Sequence, residues 1–171
     1  MDLIKKIRVV PDYPQEGISY KDVSTLIRDP ESFRFAIQDL SRRCQHAAPD
    51  IIACAKARGL MIGAPLAYLM GVGLVVMRRP GNLPGEVFSL QQELEFGDTR
   101  EVIKDSIAPG QRVLIVDELL ATGGTSVTAA KIIEKLGGIV VGTAFLIEIT
   151  GLGGRARLKD YDTISLIQYN Y

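Results

Sequence analysis

The feature that most constrains the fold lies in residues 112–126, where an apolar run ends in two acids and enters a loop of small residues. The run covers residues 113–116, and Asp117 and Glu118 follow it. Open α/β sheets bind ligands beyond the carboxyl ends of their strands, so both acids are expected at that edge. Glycines and the start of the following helix offer backbone N–H groups to an anion. The pattern predicts a phosphate site beside groups for ribose hydroxyls or a metal ion; a turn without a ligand is the alternative.

Apolar runs alternate with helical patterns along the chain, which predicts an α/β fold with a parallel sheet covered on both faces. Residues 80–105 are rich in Pro, Gly and polar residues and are expected to form a long excursion, such as a β-ribbon. At 171 residues the chain is expected to be a single domain, 1–171. The predicted strands are 51–55, 72–77, 113–116, Ile139–Ile149 and Thr163–Tyr169, and the predicted helices are 2–10, 29–47, 59–70 and 124–136.

Composition excludes several classes of protein. The 20 basic and 20 acidic side chains cancel, which argues against general nucleic-acid binding. No apolar run is long enough for a membrane span or signal peptide, so no membrane association and a cytoplasmic location are expected. Cys44, Cys54 and His46 do not form a zinc or disulfide pattern. A catalytic pair of Cys44 and His46 is disfavoured, because side chains two residues apart on a helix diverge.

Several ordered segments resemble the motifs of the purine phosphoribosyltransferases, and the loop Leu-Leu-Ala-Thr-Gly-Gly-Thr is most similar to that of the adenine phosphoribosyltransferase family. Because they occur in order over nearly the whole chain, the set is more specific than any single motif. The resemblance implies the type I phosphoribosyltransferase fold, with a small N-terminal hood at about 1–30 and a flexible β-ribbon lid at about 82–104. The segments are residues 14–22, 57–59, 63–66, 80–85, 94–97 and 119–125.

The resemblance also implies an activity: transfer of a 5-phosphoribosyl group from its diphosphate (PRPP) to adenine, giving AMP and diphosphate in purine salvage. Mg²⁺ is implied through PRPP rather than through a dedicated protein site, because Mg²⁺ keeps several waters and binds largely through substrate phosphates. A homodimer is implied as well. Two alternatives remain open, namely transfer to another purine base such as a 6-oxopurine, and a non-catalytic relative that senses PRPP.

By the same resemblance, the sugar phosphate of PRPP lies beyond the strand at 113–116. Asp117 and Glu118 match the acids at the ribose hydroxyls, where negative charge also favours a cationic, oxocarbenium-like ring. Their alternative role is a charge pair at a helix N-terminus. The residues expected around the 5′-phosphate are Ala121, Thr122, Gly123, Gly124 and Thr125.

Three arginines and one glutamate match the groups that act on the diphosphate and the base. Arg58, Arg78 and Arg79 follow predicted strands and are expected to bind diphosphate, which arginine can hold bidentately. Glu95 matches a loop glutamate that exchanges a proton with the purine imidazole ring, so Glu95 and Arg58 are the expected catalytic residues. Glu93 lies on the same strand face and remains an alternative to Glu95. Solvated surface charges are the other interpretation of these groups.

The adenine site is expected at Ser19, Tyr20 and Lys21. The Tyr20 ring matches an aromatic that stacks on the base, and the backbone at Ser19 and Lys21 matches groups that distinguish a 6-amino from a 6-oxo purine. An ordinary half-buried aromatic is the alternative for Tyr20.

Four positions depart from the family pattern. Glu118 stands where aspartate is usual, and Lys21 where arginine is frequent. Lys56 replaces an acid, and Asn82 replaces a basic residue. Loss of a cation at Asn82 weakens one expected diphosphate contact, and our hypothesis is that Lys56 supplies another.

Overall fold

The computed structural model describes residues 1–90, 100–103 and 105–170. Glu95 and its alternative Glu93 lie outside these residues. The described strands are β1 (Arg8–Val10), β2 (Tyr20–Asp22), β3 (Ile51–Cys54), β4 (Gly73–Val76), β5 (Val87–Leu90), β6 (Arg100–Ile103), β7 (Arg112–Leu120), β8 (Ile139–Ile149) and β9 (Thr163–Tyr169). The described α-helices are α1 (Ser24–Arg28), α2 (Pro30–Cys44), α3 (Leu60–Met70), α4 (Gly124–Lys135) and α5 (Gly154–Arg157).

Five strands form the predicted parallel sheet, in the order β4-β3-β7-β8-β9. The chain passes from β3 through α3 to β4 on one side, and β7 then lies on the other side of β3. The strand order therefore reverses between β3 and β7, where Cys54 at the carboxyl end of β3 pairs with Val116 inside β7. Such a reversal opens a crevice beyond the strand ends, which is where open α/β sheets bind their ligands.

Both faces of the sheet are covered, which accounts for the continuous apolar runs in its strands. Alternate residues point to opposite faces: Ile52 and Leu114 pack in the cluster that includes α2 and α3, whereas Ala53 and Ile115 pack in the cluster that includes α4. Burial of a side chain such as Ile52 contributes roughly 1.5–3 kcal/mol. None of the described helices has the length and apolar character that crossing a membrane requires.

The N-terminal segment differs from the predicted helix at 2–10. A single 3₁₀ turn, Ile4–Lys6, is followed by β1, which pairs antiparallel with β2. Leu3 and Ile7 are buried, but Ile4 is 50% exposed. Because the chain leaves helical geometry after one turn, the three apolar residues do not share one buried face, and the helix prediction is wrong here.

The excursion after β4 contains an antiparallel ribbon in its described part. β5 pairs with β6, with Val87 opposite Ile103. Val102 is buried in the same apolar cluster as α4, so this end of the ribbon is packed on the body of the protein. The ribbon agrees with the expectation from residues 80–105, whereas its action as a lid stays a prediction.

Candidate active site

A cavity of about 820 Å³ opens beyond the carboxyl ends of β3, β4 and β7. It is lined by residues 55–58 after β3, by residues 77–79 and 82–83 after β4, and by residues 117–126 at the end of β7 and the start of α4. This is the edge at which the strand order reverses. The predicted ribose, 5′-phosphate and diphosphate residues therefore lie together around one cavity.

The two acids lie inside β7 rather than after it. The strand continues to Leu120, four residues beyond the predicted end, and α4 begins only at Gly124. Asp117 and Glu118 are 4% and 7% exposed, and the Asp117 carboxylate accepts a hydrogen bond of 2.8 Å from the Glu118 backbone N–H. The alternative of a charge pair at a helix N-terminus is therefore wrong.

Glu118 is held by Arg58, which lies sixty positions earlier in the chain. Arg58 Nη1 donates a hydrogen bond of 3.1 Å to Glu118 Oε1. Burial raises the pKa of Glu118, and the bond from Arg58 partly offsets that rise; the same bond raises the pKa of Arg58. Glu118 Oε2 is buried and has no hydrogen-bond partner among the described residues. An unsatisfied buried acceptor costs about 1–3 kcal/mol, so a donor from a ligand would be favourable there.

The loop between β7 and α4 is shaped by a close approach to the segment that follows β8. Gly123 has a φ of +78°, and a Cβ on it would lie 2.8 Å from the Gly154 carbonyl oxygen. A Cβ on Gly154 would lie 2.2 Å from the Ala121 carbonyl oxygen. Glycine is required on both sides of this contact. The loop leads directly into α4, and the N–H groups at the start of a helix point outward along its axis and can bind an anion.

Three arginines reach the same cavity, as their positions after strands predict: Arg58, Arg78 and Arg79. The Arg78 backbone forms two hydrogen bonds with Glu101, of 2.9 and 2.8 Å, which join the end of β4 to β6. Asn82 donates its side-chain amide to the carbonyl oxygens of Arg79 (3.1 Å) and Pro80 (3.3 Å). The Asn82 side chain therefore stabilises the turn that follows Arg79.

The predicted base residues lie beside the cavity, although they are not part of its described lining. The Tyr20 hydroxyl accepts a hydrogen bond of 3.2 Å from Arg58 Nη1, and the Tyr13 ring packs edge-on against Tyr20 at 5.3 Å. Lys21 is buried, and its Nζ donates to the Ser19 carbonyl (2.9 Å) and hydroxyl (2.7 Å) oxygens. The Lys21 side chain thus braces its own backbone segment.

Comparisons with known proteins agree with this geometry. A family model for the phosphoribosyl transferase domain matches residues 26–169. The adenine phosphoribosyltransferase of Pelotomaculum thermopropionicum is 58% identical over 171 residues, which is 100% of both chains. This chain belongs to the adenine phosphoribosyltransferase family.

Solved structures of the adenine phosphoribosyltransferase family share the fold. The structure of the family member from Thermoanaerobacter pseudethanolicus matches with a TM-score of 0.93 and 46% identity, over 98% of each chain. The Saccharomyces cerevisiae enzyme, crystallised with an imino-altritol bisphosphate and adenine, matches with a TM-score of 0.88 and 32% identity, over 97% of this chain and 96% of that chain. The five-stranded sheet is therefore that of the type I phosphoribosyltransferase fold, as the resemblance implied.

One residue beside the loop of this family member was missed from the sequence. Arg157, in α5, directs Nη1 toward the Thr122 carbonyl oxygen at 3.4 Å and lies 3.7 Å from where a Cβ on Gly124 would be. The sequence position of Arg157 could have indicated this placement, because Arg157 follows β8, whose carboxyl end lies at the same edge of the sheet as that of β7. Arg157 thus follows a parallel strand in the same way as Arg58 and Arg78 do.

Proposed function

We propose that this protein transfers the 5-phosphoribosyl group of PRPP to adenine, forming AMP and diphosphate for purine salvage. The observation that carries the proposal is the convergence of Asp117 and Glu118, the loop at 121–125 and three arginines on one cavity of about 820 Å³. Buried acids between two anion-binding regions suit a sugar with phosphate groups at both ends. The names of the curated relatives give the same activity.

The donor is proposed to lie along the cavity with its 5′-phosphate at the start of α4. The backbone of the loop and the hydroxyls of Thr122 and Thr125 would bind that phosphate. Asp117 and Glu118 would accept hydrogen bonds from the ribose hydroxyls, and the buried Glu118 Oε2 supports this role because it has no partner among the described residues. Arg58, with the arginines after β4, would bind the diphosphate and stabilise its charge as it leaves.

A bound Mg²⁺ is proposed to be held mainly by PRPP itself. The adjacent carboxylates of Asp117 and Glu118 fit a hard cation that prefers oxygen ligands, and they could support the ion directly or through water. When bound, Mg²⁺ would neutralise part of the diphosphate charge. The protein's own contribution is to bind the sugar between the acids and the loop.

Bond making and breaking would occur at C1 of the ribose. The C1–oxygen bond to diphosphate breaks with its electron pair leaving on the diphosphate, and N9 of adenine forms the new bond to C1. Positive charge that develops on the ring is stabilised by Asp117 and Glu118. The proton lost from the purine imidazole ring is proposed to pass to Glu95. Within the single domain 1–171, the lid at 82–104 would exclude water while the cation forms, and the hood at 1–30 would cover the base.

Adenine is proposed to stack on Tyr20 and to form hydrogen bonds with the backbone at Ser19 and Lys21. Lys21 Nζ, bonded to two oxygens of Ser19, supports this assignment because it holds the base-binding backbone in one conformation. A fixed pattern of main-chain donors and acceptors distinguishes a 6-amino from a 6-oxo purine, because the wrong purine leaves a buried polar group unpaired.

We also propose a cytoplasmic homodimer that acts on small molecules without a nucleic-acid or membrane partner. Large apolar side chains are exposed along α3 and the adjoining β4, including Tyr68 at 90%. Such side chains suit a surface covered by a second copy. Sedimentation velocity is expected to give about twice the monomer mass of 18.7 kDa. A single species at the monomer mass would contradict the dimer.

The test is steady-state synthesis of nucleotide from PRPP and Mg²⁺ with adenine, hypoxanthine or guanine in parallel. We expect AMP from adenine and no product from the other bases, with Asp117→Asn as an inactive control. Turnover of a 6-oxopurine alone would favour a different base specificity. PRPP binding in a calorimeter without turnover of any base would favour the sensing relative.

A further inference from the structure

A single nitrogen of Arg58 contacts two residues that the proposed function assigns to different ligands. Nη1 donates to Glu118 Oε1 at 3.1 Å and to the Tyr20 hydroxyl oxygen at 3.2 Å. The guanidinium carbon also lies 5.9 Å from the centroid of the Tyr20 ring. Glu118 and Arg58 belong to the donor's ribose and diphosphate, whereas Tyr20 belongs to the base. The guanidinium therefore links the donor subsite to the base subsite.

This link leaves Arg58 able to bind diphosphate. A guanidinium has five N–H donors in a rigid planar arrangement, and Nη1 carries two of them. The bonds to Glu118 and Tyr20 use that pair, and within the described part of the chain the donors on Nε and Nη2 remain for a phosphate oxygen. Diphosphate can thus bind without breaking either bond.

Glu118 is the fixed end of the link. It belongs to the central strand β7, and its side chain is 9% exposed, compared with 59% for the side chain of Arg58. An exposed arginine side chain loses rotamer entropy when a ligand immobilises it. Tyr20 lies in the short β2 and meets Arg58 through its hydroxyl. The orientation of the Tyr20 ring therefore depends on Arg58 as well as on the edge-on contact with the Tyr13 ring.

We propose that the Tyr20 hydroxyl is a positioning group that makes adenine and diphosphate bind cooperatively. Diphosphate immobilises Arg58, and the bond from Nη1 then fixes the Tyr20 ring, so adenine stacks on a ring that is already ordered. Linkage requires that adenine strengthen diphosphate binding by the same factor. The inference rests on the proposed function, because it needs adenine to stack on Tyr20. We expect about a fivefold effect in each direction.

The test is calorimetric measurement of the adenine Kd with and without saturating magnesium diphosphate, a pair that cannot react because ribose is missing. Wild type is expected to bind adenine about fivefold more tightly with diphosphate. Tyr20→Phe keeps the ring but removes the hydroxyl, and its ratio of the two Kd values is expected to approach one. Tyr13→Phe removes the hydroxyl of the neighbouring ring and serves as the matched control, with the ratio of wild type. Glu118→Asp shortens the anchor by one methylene and is expected to reduce the ratio as well.

A ratio near one in wild type, or a fivefold ratio that persists in Tyr20→Phe, would overturn the inference. The ratio in Glu118→Asp decides the matter if Tyr20→Phe does not fold. The proposed function fails separately: in that case adenine does not bind and no AMP forms. Adenine binding and AMP synthesis without coupling would remove the link between the subsites and leave the enzyme activity in place.

Discussion

Gly123→Ala tests the shape of the phosphate loop. At a φ of +78° an alanine costs about 1–2 kcal/mol, because its Cβ crowds the backbone in the left-handed region. The Cβ would also lie 2.8 Å from the Gly154 carbonyl oxygen, and the shift that relieves this contact adds about 1–3 kcal/mol. Together these terms predict a loss of about 2–5 kcal/mol in the free energy of unfolding. For a protein of this size each kcal/mol lowers Tm by roughly 2–4 °C.

The assay combines urea denaturation with calorimetric measurement of PRPP binding. Displacing the loop removes hydrogen bonds to a charged phosphate, so the Kd for PRPP is expected to rise by about tenfold or more. Gly124→Ala is the matched control for stability: its Cβ would meet its nearest neighbours at 3.7 and 3.9 Å, and alanine is the better helix former at the first residue of α4. Equal destabilisation by both substitutions would refute the steric argument at Gly123.

Three other predictions concern charge and burial. Arg58→Ala is expected to lower kcat/KM for PRPP by about 10²–10³. It is also expected to raise the pKa of Glu118 further, because the buried carboxylate loses its cation. Unchanged kinetics would contradict the role of Arg58 in binding the diphosphate. Arg155 donates a hydrogen bond to Glu148 and lowers the pKa of that carboxyl group. The stability that this bond contributes is present above the unfolded pKa of about 4.5 and is lost as the pH falls through the lower pKa of the folded state. Urea midpoints of Glu148→Gln should therefore decline less steeply with acid than those of wild type. Burial raises the pKa of Cys44 and Cys54 to about 12, so iodoacetamide at pH 8 should modify neither thiol until the protein is unfolded, as mass spectrometry would reveal.

The parallel sheet was predictable because its strands are buried on both faces. Ile139–Ile149 and Thr163–Tyr169 were predicted with the bounds that the structure gives. Short amphipathic segments were less predictable: the spacing of Leu3, Ile4 and Ile7 fits a helix, but it fits a single turn before a strand equally well. Local pattern alone does not distinguish the two, because tertiary packing decides them.

The convergence of the site residues was predictable from the rule that parallel strands present their carboxyl ends at one edge. The extent of β7 was not predictable, because a strand that continues through Asp117 and Glu118 requires partners for two buried carboxylates. The partner of Glu118 is Arg58, and no local pattern indicates a contact across sixty positions. The bond between Arg58 and Tyr20 was missed for the same reason.

The most direct test of the proposed function is a crystal structure of the protein with AMP and magnesium diphosphate. We predict that the AMP phosphate lies within the loop at 121–125 and that the ribose hydroxyls are within hydrogen-bond distance of Asp117. A nucleotide bound elsewhere, for example in the smaller groove lined by His46 and Arg155, would contradict the account.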